Sequence, residues 1–170
     1  MTHIVVLGTS HTLQCGHSSV QATAVQAFEA ELKVLVARYK IARISEEMSS
    51  DGLTHYGVTE TVGARVARDV GLNYEPVDLT QTDRVTLGLG DGPLFTIRHL
   101  YSPTDGGQGF RNAMFEIEGE IRERVWAFRI MNAQASPVLF ICGASHVGSV
   151  ARIWSLLGLP CDIAHHDFAV

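Results

Sequence analysis

No apolar run in this chain approaches the roughly 20 residues a membrane span requires, so no membrane partner is expected. Its three cysteines, Cys15, Cys142 and Cys161, are odd in number and widely spaced. That spacing suits neither a disulfide framework nor a metal finger, and a reduced, cytoplasmic protein is the expectation. Basic residues do not cluster: thirteen stand against eighteen acidic ones, for a net charge of −5. A nucleic-acid footprint needs a basic face, so nucleic acid is not an expected partner either. Met1-Thr2-His3 leads directly into Ile4-Val5-Val6-Leu7, without the charged region and longer apolar stretch of a signal peptide.

Several catalytic signatures are missing as well. No Gly-x-Gly-x-x-Gly follows a strand-like run, which argues against dinucleotide binding. Gly8-Thr9-Ser10-His11-Thr12 and Gly16-His17-Ser18-Ser19-Val20 both lack the closing glycine of a serine-hydrolase elbow. Gln14 stands where a His-x-Gly-His nucleotidyl-transfer box needs its first histidine.

What is present is enough for a core. The 170 residues are 46% hydrophobic, and that length suits one domain, 1–170. Eight histidines is a high count for this size and brings metal or acid–base chemistry into view. The organising stretch is Val138-Leu139-Phe140-Ile141-Cys142-Gly143-Ala144-Ser145-His146, opened by Pro137. A short apolar run between proline and glycine predicts a central strand buried on both faces. Gly143 would let the chain turn, leaving His146 at the strand's C-terminal edge, where ligands bind in open α/β sheets.

Taken in order, Ile4 to Leu7 predicts a first strand, and Gly8-Thr9-Ser10-His11 repeats the same strand, glycine, histidine arrangement. A helix from Ser19 to about Tyr39 follows, with Ser18 or Ser19 as N-cap. Ile41 to Ile44 predicts a second strand ending in Ser45-Glu46-Glu47, and Met48 to Val58 a loop. Thr59 is placed to cap a helix over Glu60–Val70, stopped by Gly71. Tyr74 to Val77 is the third strand and ends at Asp78. The segment 79–109, rich in glycine, reads as a lid or specificity loop; Val85–Leu87 and Leu94–Ile97 could form a small hairpin in it. Phe110 to Ala133 has the spacing of the longest helix, and after the organising strand come a helix to Leu157 and a last strand, Cys161–Ala164. Strands alternating with helices predict an α/β fold, mainly parallel, with helices on both faces. The C-terminal His165-His166-Asp167 ends at the same edge, although such clusters are more often solvated.

In a parallel sheet all C-terminal strand ends share one side, so His11, Glu46, Glu47, Asp78 and His146 converge. Each has a plainer reading: a histidine after a strand is often only a turn residue, and Asp78 could simply cap its turn. Alternation sends Glu46 and Glu47 to opposite faces, and Glu46, directly after the strand, is the favoured one. Height sorts the arginines of the long helix. Pro137 to Cys142 climbs about 17 Å at roughly 3.3 Å per residue. A helix returning at about 1.5 Å per residue covers that height in about 12 residues. Counting back from Ala133 reaches Arg122, while Arg111 overshoots by roughly 16 Å. The plainer role for Arg122 is an exposed pair with Glu118, four residues earlier.

Gly8-x-x-His11, Glu46-Glu47, Arg122-Glu123-x-x-Trp126-Ala127 and Gly143-x-x-His146 together resemble the Tiki/TraB superfamily. The erythromycin esterases and the haem-binding ChaN lipoproteins belong to that group. The likeness is best from Arg122 to Gly158 and covers about half the chain; Glu123 departs from the asparagine or aspartate of many relatives. The resemblance implies hydrolysis of an ester or amide in a small-molecule or peptide substrate. His11, Glu46, Glu47, Arg122 and His146 would carry the chemistry, with Ser10, Ser145 and Asp78 beside the substrate. Tiki-type relatives imply a divalent metal on His11, Glu46 and His146, which would lower the pKa of a bound water. Esterase-type relatives imply instead a histidine acting as general base beside a carboxylate. ChaN-like relatives imply a third reading, a haem or small-ligand protein without catalysis.

Overall fold

The computed structural model describes residues 2–89, 108–133 and 135–169, and of 108–115 the backbone alone. Two apolar runs become the middle of a five-stranded, all-parallel sheet. The strands are β1 (Ile4–Thr9), β2 (Arg43–Glu46), β3 (Asn73–Pro76), β4 (Val138–Gly143) and β5 (Cys161–Phe168), in the order β3-β2-β4-β1-β5. All six residues of β1 and of β4 are buried, as expected of strands covered on both faces. The α/β expectation therefore holds.

Alternation assigns the two layers. Val5, Leu7, Ile44, Leu139 and Ile141 pack against α2 (Ala22–Tyr39) and α4 (Val62–Val70). Ile4, Val6, Phe140 and Cys142 pack on the other face. There they meet Trp126 and Ile130 of α6 (Gln108–Asn132) and Val150 and Trp154 of α7 (Val147–Leu156). The β1–β2 and β2–β3 crossovers thus run over the first face toward β3, and the last two run over the second face toward β5. All four share one hand. Neighbours β1 and β4 send their connections to opposite faces, which makes their C-terminal edge a topological switch point. Their register pairs Thr9 with Gly143, so His11 and His146 follow two and three residues beyond the last paired positions.

Several boundaries differ from the sequence expectation, each for a local reason. Strand β2 runs on to Glu46, so that glutamate ends the strand rather than follows it. Helix α2 begins at Ala22 after Gln21 rather than at Ser18 or Ser19, because the Ser19 hydroxyl is taken by His17 Nδ1 at 2.8 Å. The stretch expected as a loop holds α3 (Ser50–His55), where the Ser49 cap and the acidic Asp51 outweigh Gly52. Helix α4 is capped by Thr61, not Thr59. Val85 lies in α5 (Gln81–Thr86), fixed by a Thr80–Asp83 capping box, so it is no hairpin arm. Leu94–Ile97, and the lid expected over 79–109 from residue 90 to 107, lie outside the described residues. Strand β5 extends through His165, whose Nε2 donates to Glu31 Oε1 at 2.8 Å on the α2 side, away from the switch point. Among the described residues no helix is long and apolar enough to cross a membrane.

Candidate active site

Which glutamate faces the long helix follows from Ile44. Because Ile44 packs under α2 and α4, Glu46 shares that face, while Ser45 and Glu47 turn toward α6. The expectation that Glu46 faces the site is therefore corrected: the site carboxylate is Glu47, whose side chain is 1% exposed. Its Oε1 accepts from Arg122 Nη2 at 2.6 Å, and its Oε2 accepts from the Gly143 backbone N–H at 2.7 Å. His11 Nε2 lies 3.4 Å and His146 Nε2 3.7 Å from that same Oε1. Burial alone would raise the Glu47 pKa, but the contact with His11 and the charges of Arg122 and His146 hold it below its ordinary value. The reciprocal effect raises His11, first through the same Glu47 contact.

Arg122 arrives where the height arithmetic puts it, and Asp78 holds it there. Its Nε and Nη2 donate to Asp78 Oδ1 and Oδ2, both at 2.9 Å, a bidentate pair. Its guanidinium lies 5.0 Å from the Trp126 ring centroid, and Trp126 Nε1 itself donates to Asp78 at 2.9 Å. Glu118, the plainer partner considered for Arg122, binds Arg84 of α5 instead, at 2.5 Å. Arg84 also donates to Asp78 Oδ2 at 3.1 Å. Three carboxylates, Glu47, Asp78 and Glu118, and two guanidinia, Arg84 and Arg122, thus make one network, and the Asp78 pKa is held low because its arginine partner outweighs burial.

The two motif histidines differ in how they are held. His11 opens the one-turn helix α1 (His11–Gln14), capped by Ser10, and its side chain is 37% exposed. His146 ends a 3₁₀ turn, Ala144–His146, and is 19% exposed. Its Nδ1 contacts Glu123 Oε1 at 2.7 Å. The motif glycines are required for space rather than for turning. Gly143 has an ordinary φ of −58°, but a Cβ there would stand 3.3 Å from both Glu47 Oε2 and His11 Nε2. A Cβ on Gly8 would sit 2.2 Å from the His166 carbonyl oxygen.

Glu46 is held apart from this network. Its Oε2 accepts from Thr61 Oγ1 at 2.5 Å and from the Tyr74 hydroxyl at 2.9 Å, while Oε1 has no partner among the described residues. Full burial pushes its pKa up to about 7, and burial lifts the Cys15 thiol nearby to about 12. The metal set His11, Glu46 and His146 consequently does not come together. Among the described residues no three or more His, Cys, Asp or Glu are arranged to hold a metal ion. Both Glu47 oxygens accept hydrogen bonds, and the His146 nitrogens face the carboxylates of Glu123 and Glu47.

A cleft of about 420 Å³ opens beside the network, lined by His11, Glu47, Ser49, Tyr56, Arg84 and Arg122 among others. Asp78 also lines it, but its carboxylate is committed to Arg122 and Trp126. Ser10 and Ser145, expected beside the substrate, do not line the cleft: the Ser10 hydroxyl turns back to cap α1, and Ser145 is exposed. Sequence reasoning missed Arg84, Glu123 and the wall built by α3. Glu123 had a usable signal, since it follows Arg122 and points about 100° further round the same helix. Comparison of the chain with family models, curated proteins and solved structures gives no match.

Proposed function

We propose that this protein hydrolyses an ester or amide bond in a small substrate, with His11 as general base. One observation carries the reading: both Gly-x-x-His histidines and a buried arginine meet a single carboxylate beside a cleft at the switch point. The metal-independent mechanism is favoured, because Glu46 faces the opposite layer and, among the described residues, no three or more His, Cys, Asp or Glu are arranged to hold a metal ion. This remains the esterase-type branch of the Tiki/TraB resemblance.

With Nε2 against Glu47, the Nδ1 nitrogen of His11 takes the proton from an attacking water. The water oxygen bonds to the carbonyl carbon as the C=O electrons move onto oxygen. Arg122 lines the cleft, and its Nη1 has no partner among the described residues, so it can face the developing oxyanion. Collapse breaks the bond to the leaving group, which takes the proton back from His11 and departs as alcohol or amine. Glu47, 3.4 Å from His11 Nε2, raises the pKa of the ring and so strengthens it as a base. The rate with a neutral ester should therefore climb with pH through a value above the ordinary 6.5.

A panel of p-nitrophenyl esters and small amides tests the reading. Histidine-to-alanine change at His11 should reduce turnover at least about 10²-fold, with circular dichroism unchanged. Chelator treatment should leave the wild-type rate as it was. Hydrolysis that survives His11→Ala, or that chelation abolishes, contradicts the proposal.

A further inference from the structure

The strongest feature not used above lies one residue beyond Arg122. Arg122 reaches down to Glu47, whereas Glu123 turns toward α7, and its side chain is only 7% exposed. A carboxylate so placed is costly without donors. Two are supplied: His146 Nδ1 at 2.7 Å and the Ser149 hydroxyl at 2.5 Å, both to Oε1. Ser149 is three residues past His146, so the first turn of α7 brings both donors to one point.

We propose that Glu123 is the positioning residue of His146, fixing the ring with its proton on Nδ1 and with Nε2 turned to Glu47. An ionised carboxylate only accepts, and of the two that face the ring Glu123 is at hydrogen-bond distance from Nδ1, 2.7 Å, while Glu47 stands 3.7 Å from Nε2, so Nδ1 is the nitrogen that keeps its hydrogen in the neutral ring. The remaining faces of the ring are also held. Trp126 meets it edge-on, with centroids 5.1 Å apart and planes at 83°, and Trp126 is itself anchored to Asp78. Gly119 of α6 faces the ring on the helix side, where even a Cβ would make only an ordinary 4.0 Å contact with His146 Cε1. Ring orientation and tautomer are thereby set from outside the cleft. The second motif works as a Glu123–His146 pair, as a carboxylate directs an imidazole in acyl-transfer triads.

The proposal rests on the hydrolytic reading only for its effect on rate; the tautomer can be read without any substrate. Long-range ¹H–¹⁵N correlation spectra of the histidine-labelled full chain report it, with the His146 signals assigned from His146→Gln. In its neutral form, wild-type His146 should show Nδ1 protonated and Nε2 bare. Glu123→Leu keeps bulk but removes the acceptor, so the Nδ1–H preference should be lost, whereas Glu123→Gln, whose amide oxygen can still accept from Nδ1–H, should keep it. Ser149→Ala should keep it as well. Under the hydrolytic reading, Glu123→Leu should also lower kcat severalfold with little change in KM. A wild-type ring protonated on Nε2 overturns the proposal even if Glu123→Leu does not fold. A tautomer unmoved in folded Glu123→Leu overturns it as well. The predicted tautomers in a protein with no activity on any panel substrate would uphold the positioning and reject the hydrolysis.

Discussion

Glu46 and Glu47 are consecutive, alike in chemistry and both buried, yet their surroundings push them in opposite directions. Glu46 looks into the layer under α4, where it meets two hydroxyls and no cation, and burial lifts its pKa to about 7. Glu47 looks into the layer under α6, where it meets a guanidinium, two imidazoles and a backbone N–H, and its pKa falls. Burial alone therefore does not decide the charge of a carboxylate. The partners delivered by the covering helix decide, and a single step along a strand chooses the helix.

The contrast can be broken most forcefully at Glu47. Exchange to glutamine removes the charge facing Arg122 and leaves buried cationic groups short of a partner. Removing one member of a buried pair typically costs about 3–5 kcal/mol, here softened by Asp78, which still holds the arginine. Urea unfolding at pH 7 should register a loss of at least roughly 2 kcal/mol for Glu47→Gln. A loss well under that would mean that the Glu47 pairing is weaker than its geometry.

An effect of opposite sign in pH belongs to Glu46. Its folded pKa lies above the ordinary 4.5, so the folded state binds its proton more tightly than the unfolded chain. That contribution is fully present below pH 4.5 and is lost as pH rises toward about 7, up to roughly 3 kcal/mol in all. Glu46→Gln should abolish that slope in urea titrations between pH 4.5 and 7 and be relatively the more stable protein at pH 7. The Glu47 contribution runs the other way, present above 4.5 and lost as pH falls through its lowered value. If the two variants changed the same pH window, the division between layers would be wrong.

Much of this was legible in the residues. Apolar runs bounded by proline or glycine marked β1 and β4, and their all-parallel pairing followed from the alternation with helices. Rise per residue was enough to select Arg122 among the arginines of α6. The choice between Glu46 and Glu47 was not legible, because β2 is buried on both faces and its pattern does not name the face that α6 covers. Ser10 looked like a cleft residue by position, but helix capping claimed its hydroxyl. Arg84 was hidden because it sits in a glycine-rich stretch whose local capping box, Thr80 with Asp83, makes a short helix.

Hydrolysis by Glu46→Gln and Glu47→Gln, assayed side by side on the same p-nitrophenyl esters, tests the central claim most directly. Glu47→Gln should lose at least about 10²-fold in kcat, while Glu46→Gln keeps a rate within roughly fivefold of wild type. An inactive Glu46→Gln beside an active Glu47→Gln would contradict the account.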